Sequence, residues 1–357
     1  MLLEAGTQYY VSTTGSDGAD GLSRATAFRT VAKAYATMTS GDAALILPGT
    51  YIHNPDPYVP LTPPIGTVTQ GCGVDVTTIR ASPSSQRPVV RPNSYCRFLE
   101  LTIDCDAPSA DAFAFGANLN DAGGFSNVTC SRVRFTGGAD VIVLLDPDNV
   151  RSLRFEECDV EAAWDGITLI DSPLQIDLHR CRLRSIFNAV GGREQRLLFA
   201  FGISKSMRVI CVDCAIASES AIPNSIPNPV YARGTGTAVH LISTSIQSRA
   251  PNGGVTTDIM VTSGATVVVS NSSTFAAQKA SGPVAFAPSW FDGADGIETA
   301  LTLQQATRLL DSFFAGRLSG VGTASLTYRN AVADSKDRMV VAVDAQGNRT
   351  GITYDAD

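Results

Sequence analysis

Lysine is nearly missing from this chain: four residues in 357, Lys33, Lys205, Lys279 and Lys336, against a total of 27 Lys plus Arg and 34 Asp plus Glu. That acidic balance argues against a duplex nucleic-acid binder, which carries a basic face. It also leaves almost all positive charge on arginine, the side chain suited to paired carboxylate contacts, so acidic glycans are conceivable ligands. Histidine is scarce too. His53, His179 and His240 are scattered, with no serine or cysteine nucleophile in a supporting position, so surface or loop roles are expected for them. No apolar run approaches a membrane span, and the opening Met1-Leu2-Leu3-Glu4-Ala5 lacks the basic stretch and apolar core of an export signal. Membrane insertion is therefore not expected, and synthesis in the cytoplasm is. Cysteine is present, eight residues, but without metal-ligand spacing: Cys211 and Cys214 form a C-x-x-C with no second pair or histidine following at a zinc spacing. No metal and no cofactor are expected.

What the chain does have is a register that returns five times, at Cys130, Phe155, Leu178, Cys211 and Leu241. Two residues before each stand Val128, Leu153, Ile176, Val209 and Val239. Three after come Val133, Cys158, Cys181, Cys214 and Thr244, and five after come Phe135, Val160, Leu183, Ile216 and Ile246. Five cysteines thus sit in inward columns, where the thiol behaves as a small hydrophobe. Polar residues align between them: Arg132, Glu157, Arg180 and Asp213 two after the anchor, and Arg134, Asp159 and Arg182 four after, with signs alternating. Turns stacked about 4.8 Å apart as parallel strands would set opposite charges face to face.

Repeats of 25, 23, 33 and 30 residues with a period-two interior indicate a solenoid of strands. Ile142 with Leu144, Ile167 with Leu169, and Val190 supply a further apolar strand twelve and fourteen residues past the anchor. The expected fold is all-β, a right-handed parallel β-helix with three strands per turn. With 44% hydrophobic and 17% charged residues, there is material for a long continuous core.

The two ends read differently. A helical stretch over 25–38 and a short buried strand at Ala44-Leu45-Ile46-Leu47 make residues 1–51 an N-terminal cap with a capping helix, followed by the β-helix over 52–297, whose first part, 52–94, is expected to be irregular. Tyr9-Tyr10-Val11-Ser12, Gly15-Ser16-Asp17, Asp20-Gly21, Gly41-Asp42 and Pro48-Gly49-Thr50-Tyr51 resemble the N-terminal portion of pectate-lyase-like β-helix proteins. The resemblance implies that an amphipathic helix plugs the open coil. Over 298–357 a small α+β module is expected, with a helix on Leu303, Ala306, Leu309, Leu310, Phe313 and Phe314 after a capping box at Thr302 and Gln305. A β-hairpin follows around Asp344 to Asn348. Leu303 to Leu310, Asp337-Arg338, Val343-Asp344 and Gly347-Asn348-Arg349 make this segment similar to a C-terminal module of proteins encoded among phage and prophage tail genes.

Chemistry could sit ten residues past the first three anchors, at Asp140, Asp165 and Asn188. Two carboxylates on adjacent turns, about 5 Å apart, suit a retaining glycosidase. Asp140, Asp165 and Glu161 are the catalytic candidates. Trp164, Arg184, Arg193 and Arg196 are candidates for binding a sugar ring or uronate. Asp and Asn at a bend also satisfy local backbone N–H groups, which is the structural alternative. The sequence lacks the aspartate cluster and Arg of pectate lyases and the Asn-Thr-Asp, Asp-Asp and Gly-His-Gly set of polygalacturonases. What the resemblances imply is a phage virion protein, a tail fibre or tailspike-like appendage binding a host surface polysaccharide, homotrimeric and attached to other tail proteins. A polysaccharide depolymerase and a purely architectural tail component are the alternatives.

Overall fold

A computed structural model of the chain describes residues 6–55, 57–83, 87–106, 112–117, 125–138, 140–144, 152–162, 165–170, 175–185, 196–202, 206–219, 228–249, 258–270, 280–281, 284–286, 318–319, 325–329, 337–343 and 349–354. The chain divides into two compact units, Met1–Ala287 and Pro288–Asp357. The first is an all-β parallel β-solenoid of about six turns with almost no helix.

The solenoid stands on alternation. In the strand Ser152–Glu156, Leu153 and Phe155 point into the coil while Arg154 is exposed. The next turn pairs in register, Leu153 with Ile176 and Phe155 with Leu178, and the following ones set Leu178 beside Cys211, Leu241 and Val269. Below it the same column runs through Cys130 and Phe98 to Thr69 and Ala44. The register therefore begins well before Cys130, and the 52–94 segment already contributes regular paired strands, Val68–Gln70, Thr77–Ala81 and Pro88–Val90. Phe98, Phe115, Phe135 and Phe155 pack edge to face in the lower core, with ring centroids 5.2–6.5 Å apart.

Each turn bends two residues after its column position. Glu100, Arg132, Glu157, Arg180, Asp213 and Ser243 all take a left-handed backbone, φ 49–56°. None is glycine, so each costs roughly 1–2 kcal/mol of backbone strain. The geometry recovers it in two ways. The N–H of the bend residue bonds across to the next turn, Glu157 N to His179 O at 2.9 Å and Arg180 N to Val212 O at 2.9 Å. The residue after the bend turns inward and donates as well: Cys158, Cys181 and Cys214 Sγ reach the carbonyls of Cys130, Phe155 and Leu178 at 3.4 Å, and Thr244 Oγ1 reaches that of Cys211 at 3.2 Å. All eight cysteines are free thiols.

Beyond the bends, eight strands among the described residues form a second parallel sheet. Ile142 pairs with Ile167 and Leu144 with Leu169, as their equal offsets require. One turn on, the partner strand is Leu198–Phe201, twenty residues past Leu178 instead of twelve, with Ile167 beside Leu198. Val190 and Asn188 lie outside the described residues. An insertion in the connection displaces the strand along the sequence but not in space. At Gly116 (φ 132°) a Cβ would stand 1.9 Å from the Val143 carbonyl oxygen, so only glycine fits there.

Near the N-terminus, helix is confined to Val31–Thr37, shorter than the expected 25–38 stretch, because Phe28 pairs with Val11 and bonds to Tyr10 O instead. Thr30 caps the helix, accepting from Lys33 N, and Val31, Ala34 and Tyr35 are buried. In the second unit Ser325–Arg329, Asp337–Val343 and Arg349–Tyr354 pair antiparallel, the last two on either side of residues 344–348. The helix expected over 303–314 lies outside the described residues.

Candidate functional site

The offset-ten column is real on its first two turns: Asp140 and Asp165 are paired neighbours in the second sheet. The next position in that column is Arg196, two residues before Leu198, since Gly166 N bonds to Arg196 O. Arg196 closes on Asp165: Nη2 lies 2.6 Å from Oδ2, Nε 3.1 Å from Oδ1, and the Arg196 backbone N–H adds a bond to Oδ1 at 3.1 Å. The Asp165 side chain is only 8% exposed. The two-pronged guanidinium contact commits both carboxylate oxygens of Asp165. Asn228, two residues before the paired Val230, is fully buried, and neither its amide nitrogen nor its amide oxygen has a hydrogen-bond partner among the described residues.

Glu161 belongs to a different arrangement. It pairs with Arg184 across one turn and lies 3.7 Å from Arg134 across the other. Asp159 meets Arg182 at 2.7 Å, and Arg134 reaches Asp75 at 2.8 Å. In the bend column Arg132 bonds Glu100 at 2.6 Å and Arg180 bonds Glu157 at 3.0 Å. The alternating charges therefore form an exposed ion-pair ladder, and Arg184 is committed to it. Each exposed pair of this kind contributes at most about 1 kcal/mol. Trp164 and Arg193 lie outside the described residues.

Residues that the sequence pattern did not single out surround Arg196. Leu198 and Ala200 face the core, which leaves Phe199 and Phe201 on the outward side of the sheet. The next strands continue both rows: Phe199 with Tyr231 and Met260, Phe201 with Arg233 and Thr262. Phe199 stacks on Phe201 at 6.2 Å and lies 5.3 Å from Tyr231. Arg196 covers Phe199 at 4.0 Å, and Arg233 lies over Phe201 at 4.6 Å, both within cation–π range. Beside Phe199 the Thr168 hydroxyl is buried without a hydrogen-bond partner among the described residues. The result is a row of aromatics on the outward side of the sheet, Phe199 buried at 7% exposure beneath the Arg196 guanidinium and Phe201 and Tyr231 half-buried, next to the Asp140–Asp165 pair. Leu-Phe-Ala-Phe is apolar at every position, so alternation alone gave no signal. The only hint was an aromatic at every second residue.

Among the described residues no group of His, Cys, Asp and Glu could hold a metal ion, and no helix is long and apolar enough to cross a membrane. No protein-family model matches the chain, and no curated protein does. Solved structures do. Pectin methylesterase PemA from Erwinia chrysanthemi superposes with a TM-score of 0.50 at 14% identity, over 78% of this chain and 92% of that one. The fold is a pectate-lyase-like parallel β-helix. Pectate lyase Pel9A (TM-score 0.42, 15% identity, 85% of both chains) and the A-module of a mannuronan C-5 epimerase of Azotobacter vinelandii (0.36, 13%, 65% and 79%) are also similar to this β-helix.

Proposed function

We propose that this β-helix binds a polysaccharide along the outward face of its second sheet, and that it does so as a tail-fibre or tailspike-like phage appendage holding a host surface glycan. The observation that supports binding is the strip of Phe199, Phe201 and Tyr231 flanked by Arg196 and Arg233. Sugar rings lay their C–H faces on aromatic rings, and the Arg233 guanidinium, unlike that of Arg196, which Asp165 holds, is placed to bind the carboxylate of an acidic sugar. PemA, which shares the fold, is by name a pectin esterase, so such a coil can carry a polysaccharide. The virion setting rests on the tail-module resemblance of residues 298–357. With it goes the rest of the reading: a right-handed coil of three strands per turn, a helical N-terminal cap, and a trimer joined to other tail proteins.

Binding of purified protein to host capsule or lipopolysaccharide tests this. Tyr231→Ala is expected to weaken it about tenfold, as loss of one stacking contact of about 1–1.5 kcal/mol requires. No binding to any host glycan would leave the architectural reading, and a monomeric mass in solution would remove the trimer.

A second reading, a polysaccharide-cleaving or modifying enzyme, is favoured by the pairing of Asp140 with Asp165, whose carboxylate Arg196 orients. Shortened or altered glycan chains after incubation would support it. Asp165→Asn is then expected to abolish turnover while glycan binding persists, and undiminished turnover in that variant would exclude Asp165 from the chemistry.

A further inference from the structure

At the N-terminal end a groove of about 520 Å³ opens where residues 50–55 pass the start of the helix Val31–Thr37. That volume falls within the range of about 300–1,000 Å³ typical of small-molecule sites. Val31, Ala32, Tyr51 and Leu61 give it an apolar lining, and among the described residues no carboxylate lines it. Among the described residues its one permanent charge is Arg29, whose guanidinium meets no carboxylate among them. The neighbouring Asp17 is occupied elsewhere, accepting from Arg29 N, Thr30 N and the Thr30 hydroxyl at 2.8–2.9 Å.

His53 also lines the groove. Burial lowers its pKa, and Nε2 lies 2.7 Å from Val59 O, so the ring is neutral at neutral pH and donates there. Asn54 spends its Oδ1 on Ser82 N at 2.8 Å, which leaves the amide nitrogen to donate. The Thr13 and Thr50 hydroxyls have no partner among the described residues. The groove therefore offers one unpaired cation, three uncommitted polar groups and an apolar lining. Inorganic phosphate would take the cation and the polar donors but leave the apolar lining uncovered. A hydrophobic ligand would leave the polar groups unpaired.

We infer that this groove holds a single acidic sugar residue, with its carboxylate on Arg29, its hydroxyls on Thr13, Thr50 and Asn54, and its C–H face on Tyr51 and Leu61. The inference rests on the polysaccharide reading for the class of ligand and on a separate part of the coil for its place. It gives the protein a second point of attachment, so a polymer could engage the coil at its end as well as along its sheet.

The test uses the full chain, nitrogen-15 labelled, titrated with D-glucuronate, D-glucose and inorganic phosphate. Glucuronate is expected to shift the Thr50 and Asn54 amides saturably, glucose to bind at least about tenfold more weakly, and Arg29→Gln to remove the difference. Arg29 is exposed and its backbone contact with Asp17 is untouched, so the variant keeps the fold. Absence of saturable shifts at Thr50 and Asn54, equal affinity in Arg29→Gln, or phosphate reproducing the full pattern of shifts would each overturn the inference. Tyr231→Ala separates the two sites. If it leaves polymer binding whole while glucuronate still shifts Thr50, the sheet reading falls and the groove stands. If it abolishes polymer binding and glucuronate fails to shift the wild type, the groove falls and the sheet stands.

Discussion

Cys181 shows what a single side chain contributes at a left-handed bend. Its thiol, 1% exposed, lies 3.4 Å from the Phe155 carbonyl one turn below and 3.4 Å from the His179 carbonyl of its own turn. Thr244 makes the same two contacts higher in the column, at 3.2 Å to Cys211 O and 3.0 Å to Ile242 O. On these turns the column holds a small residue with an inward donor, whereas Val133 fills the same offset without one. In the neighbouring anchor column burial pushes the Cys130 thiol well up. Threonine and valine have nearly the same shape and differ in the donor. Cys181→Thr is therefore expected to be more stable than Cys181→Val by about 1 kcal/mol, the net worth of a hydrogen bond to carbonyls that already have other partners. Urea unfolding of the two variants measures this; equal midpoints would mean that packing volume alone sets the column.

At the scale of the element, the N-terminal segments are tied by Asp42. Its carboxylate accepts from Thr7 N at 2.8 Å, Thr39 N at 2.7 Å and the Thr39 hydroxyl at 3.0 Å, joining the chain before the first strand to the start of Ala43–Ile46. Burial pushes the carboxyl up, but the hydrogen bonds from Thr39 and Thr7 together outweigh it and hold it below the usual carboxylate range. A depressed folded-state pKa stabilises fully above the unfolded value, about 3.9, and the contribution is lost as pH falls through the lower folded value. Asp42→Asn is expected to cost about 1–3 kcal/mol at pH 7, with the gap from wild type narrowing below about pH 4. A gap that stays constant from about pH 7 to pH 2.5 in denaturant titrations would contradict the assignment.

The same scale explains which elements the sequence made legible. Strands on either side of the bends could be read because Phe155, Leu178 and Cys211 keep a constant offset to their neighbours, so identical spacing became spatial adjacency. Asp140 beside Asp165 followed from the same rule. Leu198–Phe201 could not be read, because its connection is longer than those before it. Arg196 consequently looked like a free ligand-binding cation when it is the partner of Asp165. The early turns were hidden by polarity: Thr69 occupies the inward column and is tolerated there because its hydroxyl meets Tyr35 OH at 2.8 Å. A hydrophobic count reads that position as outward.

At the scale of the whole solenoid, stability is a sum over neighbouring turns, since backbone bonds and core contacts of one turn reach the turns directly above and below. Phe155 lies in the middle of that stack. Its ring meets Phe135 at 5.8 Å and Phe115 at 6.5 Å, and its backbone pairs with both Cys130 and Leu178. Phe155→Ala removes the ring from a close-packed interior and is expected to cost about 3–5 kcal/mol. Nearest-neighbour coupling confines the first consequence. Amide protection should fall most in Ser152–Glu156 and in the adjoining Val128–Gly137 and Gln175–His179, while Gln8–Val11 and Ala43–Ile46, several turns away, keep theirs until global unfolding. Native-state hydrogen exchange resolves the pattern. A uniform loss over the entire coil would mean that it opens as one cooperative body, and a ligand bound at either end would then stabilise every turn equally.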